Sequence, residues 1–154
     1  MRIFFCIAFF WNVLFLSACD PNTVTDQNIL ITDKTWPYHI VPKIKVHITD
    51  KNSTYDVFLN LRHNGDYKYS NIFVRIHEIN PQGDIKKERR ELKLAEKDGK
   101  WTGSSAGSLY AHQALLHENY HFPDTGVYIF GIEQNMRENP LMNVNDVGIK
   151  VVRK

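Results

Sequence analysis

Cysteine is nearly absent from this 154-residue chain: only Cys6 and Cys19 occur. That excludes a disulfide framework and any cysteine-based metal cluster. It also suits an exported protein that needs no oxidative folding. Neither sign of charge dominates. The net charge is +2 with histidines neutral, and it falls by one unit if residues 1–18 are removed, because Arg2 is the only charged residue among them. Such a balance gives no reason to make nucleic acid or anionic lipid the main partner. Beyond Leu16 no apolar run approaches the length of a membrane span. A glycine-rich phosphate loop is lacking, and Ser104, Ser105 and Ser108 stand in no G-x-S-x-G elbow. No cofactor motif remains.

What the N-terminus does contain is a leader. Arg2 supplies a minimal positive region, Ile3 to Leu16 is apolar apart from Asn12, and Ser17-Ala18 lead into Cys19. Leu16-Ser17-Ala18-Cys19 has the layout of a lipobox, so residues 1–18 are expected to be cleaved and Cys19 to carry a diacylglyceryl group. Each buried methylene contributes roughly 0.8 kcal/mol, and two acyl chains already anchor stably. With Cys6 lost and Cys19 blocked, no thiolate nucleophile is left. Residues 19–33 then read as a tether, polar from Asp20 to about Asn28, and residues 34–154 as one domain.

The body reads as strands. Ile44, Val46 and Ile48 alternate with Lys45, His47 and Thr49. Tyr55, Val57, Leu59 and Leu61 form a second alternating run, ended by Asn64-Gly65-Asp66, and Ile72, Val74 and Ile76 a third, ended by Asn80 to Asp84. Ile85 to Ala95 carries Lys86-Lys87-Glu88-Arg89-Arg90-Glu91, the composition of a solvated edge strand. Asp98-Gly99 is a hairpin turn, and Ser104 to Ser108 reads as a loop. Leu109 to Phe122 fits either a short helix or an extended segment. Val127 to Ile132 is apolar on both alternating faces, as in a central strand packed on both sides or one lining an aromatic core. Val147, Ile149 and Val151 give the last run, after a break at Asn139-Pro140. The predicted fold is all-β: one β-sandwich, jelly-roll or immunoglobulin-like.

His117-Glu118-Asn119-Tyr120-His121 matches H-E-x-x-H, in which two histidines one helical turn apart hold zinc and the glutamate polarises its water. The match lacks support. Pro123 and Gly126 would stop a helix at the motif, and Asp124 and Val127 replace the glycine and third histidine of the extended form. A zinc hydrolase is therefore the least favoured reading. The other histidines, His39, His47, His63, His77 and His112, mostly alternate outward, and a two-histidine metal site across strands is a minor alternative. Trp36, Tyr38, Tyr67, Tyr69 and Trp101 would serve a carbohydrate-binding lipoprotein if their rings shared an exposed face. Trp101, just after the hairpin turn, reads rather as a core or capping residue.

Several patches, in order, carry a resemblance. Tyr55 to His63 (YDVFLNLRH), Tyr67-x-Tyr69-x-Asn71 and Gly99-Lys100-Trp101-x-Gly103 come first. Gly126-x-Tyr128-x-Phe130, Gln134-x-Met136-Arg137, Leu141 and Asp146-Val147-Gly148 follow. Together they resemble the gliding-motility lipoprotein H family of Bacteroidota over nearly the whole chain. One departure is Leu141-Met142-Asn143-Val144, where family members often carry Leu-Pro-Gly. The resemblance implies a non-enzymatic, lipid-anchored protein of the outer membrane. It would work with other gliding or type IX secretion proteins and have no catalytic or metal residues. Arg62 and Arg137 are the candidates for a forked contact to a partner or for an ion pair that holds the sandwich.

Overall fold

The computed structural model describes residues 21–154. The leader and Cys19 lie outside them. Eleven strands follow in order: β1 Thr23–Leu30, β2 Thr35–Trp36, β3 Lys43–Ile48, β4 Tyr55–Asn64, β5 Asn71–Ile79, β6 Ile85–Lys93, β7 Ser104–Ala106, β8 Leu109–Tyr120, β9 Gly126–Gln134, β10 Leu141–Met142 and β11 Val144–Arg153. They form two antiparallel sheets, β1-β11-β4-β8-β7 and β3-β9-β5-β6, with β10-β2 as a small clasp. The all-β sandwich is as the alternation implied.

The alternation decides which side chains fill the gap between sheets. β3 buries Ile44, Val46 and Ile48 and exposes Lys43, Lys45 and His47. β5 buries Ile72, Val74 and Ile76, and β11 contributes Val147, Ile149 and Val151. Phe122 sits at the centre of an aromatic group, with its ring centroid 5.3 Å from Tyr55, 4.6 Å from Tyr128 and 4.8 Å from Tyr120. β6 is the edge of its sheet, as its charge run suggested. Arg90 on β6 reaches across and donates to the Leu116 carbonyl of β8 at 2.8 Å, closing the open side of the sandwich.

Every long strand runs between the same two ends. At the near end, Ile48 pairs with Gly126, Tyr55 with Tyr120, and Thr23 with Val152. Arg153 N–H donates to the Asn22 carbonyl there, at 2.8 Å. The far end holds the β4–β5 connection, the loop after β9 and the clasp. β4 has ten residues, and at about 3.3 Å per residue the ends are roughly 30 Å apart.

Two expectations change, and two that the sequence left open resolve. The tether assigned to 19–33 is largely structured: Thr23–Leu30 is an edge strand on β11, and Thr32–Lys34 is a 3-10 turn. Its pattern was illegible because only Ile29 packs on the core while Asp26, Gln27 and Asn28 face water. Ser104 to Ser108 is not all loop, since β7 pairs with the start of β8 around Gly107 (φ +63). Leu109 to Phe122 resolves as strand through Tyr120. Of the two readings of Val127 to Ile132, the strand lining an aromatic core holds: β9 is central in its sheet and buries Tyr128, Phe130 and Ile132, the first two against Phe122, while Val127 on its other face is exposed.

Candidate functional site at the far end of the sandwich

The H-E-x-x-H match does not build a zinc site. His117 and Glu118 lie on strand β8, Asn119 takes a left-handed φ of +50, and His121 falls beyond the strand. The helical turn that would set both histidines on one metal is absent there, and the zinc reading falls on that geometry. Instead His117 stacks on Tyr120 at 4.8 Å, and burial lowers its pKa. Asn119 N–H donates to Asp56 at 3.0 Å. Nor do the aromatics form an open platform. Trp36 and Tyr67 are buried, with the Trp36 indole N–H bonded to the Ile40 carbonyl at 2.8 Å, and Trp101 is a partly buried cap on the core.

Arg62 and Arg137 part company. Arg62 Nε donates to both oxygens of Asp146 at 2.8 Å, joining β4 to β11. This pair raises the Arg62 pKa further. Arg137 is exposed and, among the described residues, has no hydrogen bond and no carboxylate within salt-bridge reach.

The loop that carries Arg137 is held from several sides. Gln134 is fully buried at the end of β9; its carbonyl oxygen accepts from Met136 N–H at 2.9 Å, and its amide donates to the Glu138 carbonyl at 3.1 Å. Tyr38 donates its hydroxyl to the Met136 carbonyl at 2.7 Å. Phe73 N–H approaches the Met136 sulfur at 3.2 Å. The neighbouring acid is already engaged, because Glu138 accepts from the Tyr69 hydroxyl and lies 3.7 Å from Lys68. That hydrogen bond raises the Tyr69 pKa.

Beside this loop is a cavity of about 400 Å³ lined by Tyr69, Phe73, Arg89, Asn135, Met136 and Arg137. Arg89 Cζ lies over the Phe73 ring, 3.9 Å from its centroid, and Arg89 donates Nε–H to Asn135 at 3.0 Å. In the register Arg89 faces Arg75 directly, a like-charge pair that costs stability. Arg75 is neutralised by Glu133 at 3.0 Å, whereas Arg89 has no carboxylate partner among the described residues. Lys43, Lys45 and Lys87 share the same outer face and are exposed. Although the chain as a whole is nearly neutral, this face is basic. Sequence reasoning missed Arg89 because it lay inside a run of mixed charges with nothing to mark its pairing.

A second cluster lies beneath the far end. His63 was expected to point outward but is fully buried. Its ring centroid is 4.5 Å from Trp101, 5.2 Å from Tyr67 and 5.1 Å from His112. His63 Nδ1 is 2.7 Å from the Asn64 carbonyl, which can only accept. In the neutral ring the proton therefore sits on Nδ1, and His63 Nε2 accepts from His112 Nε2 at 3.0 Å. Burial lowers the His63 pKa; burial, then the charge of His63, pushes His112 down to about 4. Gly103 has a steric reason: a Cβ there would come within 2.7 Å of the Ala111 carbonyl and of His112 Nε2. Among the described residues no three His, Cys, Asp or Glu side chains gather as a metal cluster.

Part of the motif patches meets at one end, while Tyr55, Gly126 and Tyr128 lie towards the other. Tyr67, Tyr69, Asn71, Trp101, Gly103, Gln134, Met136 and Arg137 all belong to the far end. The sequence profile of the GldH lipoprotein family matches residues 23–151. A protein of Christiangramia forsetii named gliding motility lipoprotein GldH homolog is 30% identical, over 93% of this chain and 91% of its own length. The gliding motility lipoprotein GldH of Flavobacterium johnsoniae is 26% identical, over 92% and 91%. A profile match spanning both sheets and every patch at the far end places this chain in the GldH lipoprotein family.

Proposed function

We propose that this protein is a non-enzymatic component of the gliding-motility machinery, anchored in the outer membrane through lipidated Cys19. Its action would be linked to the type IX secretion system that delivers moving surface adhesins. The observation that carries this reading is the match over nearly the full chain to relatives named as gliding motility lipoproteins. The geometry supports an assembly role. Only Asp20, Pro21 and Asn22 separate Cys19 from β1. A lipid on Cys19 would therefore seat the near end of the sandwich at the bilayer and lift the Arg137 loop roughly 30 Å away from it. The anchored end carries the H-E-x-x-H match together with Tyr55 and Gly126, and the raised end carries Tyr67, Tyr69 and the Arg137 loop.

The test is a clean deletion in the source bacterium, scored for single-cell movement on glass. Loss of movement, restored by a plasmid copy, is the expected result. A Cys19→Ala copy should leave the membrane fraction and fail to restore movement. Full movement in the deletion strain, with no second copy of the gene in the genome, would contradict the proposal.

A further inference from the structure

We infer that the far-end cavity is a docking site for a carboxylate-bearing segment of a partner protein, one that presents an acidic side chain next to an aromatic or aliphatic one. The inference deepens the assembly reading above. Phe73 and Met136 are among the apolar lining of the cavity, which at about 400 Å³ is wide enough for a large side chain. Two guanidiniums, Arg89 and Arg137, line it as well, and neither has a carboxylate partner among the described residues. By contrast Arg62, Arg75 and Arg90 each pair with an acid of this chain.

Charge complementarity selects the occupant. A guanidinium offers a planar fork that matches a carboxylate. Arg89 is pre-oriented by its stack on Phe73 and its bond to Asn135, so little of its freedom is left to lose on binding. Arg137 projects from a loop whose backbone is already fixed by Gln134 and Tyr38. With Arg75 held by Glu133, Arg89 is the cation of that register pair left for an external anion. A flat anionic bilayer would meet the lysines of the basic face but could not fill a concave cavity lined in part by Phe73 and Met136. A protein segment does both.

The test uses the full lipidated chain in neutral phosphatidylcholine nanodiscs, panned against a random peptide display library. The expected result is enrichment of peptides with Asp or Glu beside Phe, Leu, Ile or Met. Their binding should weaken about tenfold in Arg137→Gln and again in Arg89→Gln, and fall with added salt. Lys51→Gln, at the near end, should bind as the parent does. Arg137 makes no hydrogen bond or ion pair among the described residues, so an unchanged melting curve for Arg137→Gln separates loss of binding from loss of structure. No enrichment, peptides without acids, or acidic peptides indifferent to both arginines would overturn the inference. So would phosphatidylglycerol vesicles that capture the protein through the same two arginines while the peptides do not. Because panning does not measure movement, the docking site and the gliding role can fail separately.

Discussion

The Arg62–Asp146 pair should respond unequally to loss of its two halves. Asp146 has a side chain 2% exposed, whereas that of Arg62 is 42% exposed. Replacing Asp146 by Asn leaves a guanidinium that water already reaches, and an amide oxygen that still accepts from Nε. The expected loss is about 1 kcal/mol, as for a half-screened ion pair. Replacing Arg62 by Met leaves an acid among buried neighbours with no cation to meet it. Stranding a buried charge costs roughly 3–5 kcal/mol, and the partial opening left by the shorter side chain brings the expectation to about 3 kcal/mol. The combined Arg62→Met, Asp146→Asn chain should recover part of that loss, since no charge is then stranded. Urea denaturation followed by tryptophan fluorescence gives all three values from shifts in the midpoint at constant slope. Equal costs, or a larger cost for Asp146→Asn, would refute the reasoning from burial.

The histidine pair makes stability depend on pH. Folding disfavours the charged form of His112, so the unfolded chain binds more protons once the pH drops below about 6.5. Its contribution is intact above that pH and is lost as pH falls from 6.5 towards 4. Because the ring is part-exposed, the loss is discounted to about 1–2 kcal/mol. His112→Gln keeps a donor for His63 Nε2 and should flatten the difference curve; an unchanged acid slope would argue against the pair. Gly148→Ala should cost about 2–4 kcal/mol and release β1 to proteases. The new Cβ would lie 1.9 Å from Asn28 Oδ1 and 2.3 Å from the Gln27 carbonyl. Protection of residues 23–30 equal to the parent in limited proteolysis would count against that. Glu118→Gln should restore movement to a deletion strain as well as the parent does, and failure to do so would reopen catalysis at the H-E-x-x-H match.

The sandwich was legible where one face of a strand is apolar. β3, β5 and β11 each buried the residues their alternation nominated. It was illegible at β1, where a polar edge strand gains most of its order from pairing with β11 and little from its own side chains. β8 carries the same lesson: His117 and Tyr120 gave no clear period, and pairing with β4 decided between helix and strand. Arg137 stood out by its place beside Met136, but its lack of an acid could be seen only in three dimensions. His63 was misread because alternation fixes a face without saying that β7, β8 and Trp101 close over it. Arg89 became visible only once the register set it against Arg75 and its stacking set it on Phe73.

The central claim is that a lipid-anchored sandwich works through its far end. The direct measurement is single-cell gliding speed in a deletion strain carrying Arg137→Glu, with protein level and membrane fraction checked alongside. The account predicts parental amounts of membrane-bound protein and cells that do not move. Normal movement with Arg137→Glu would contradict it.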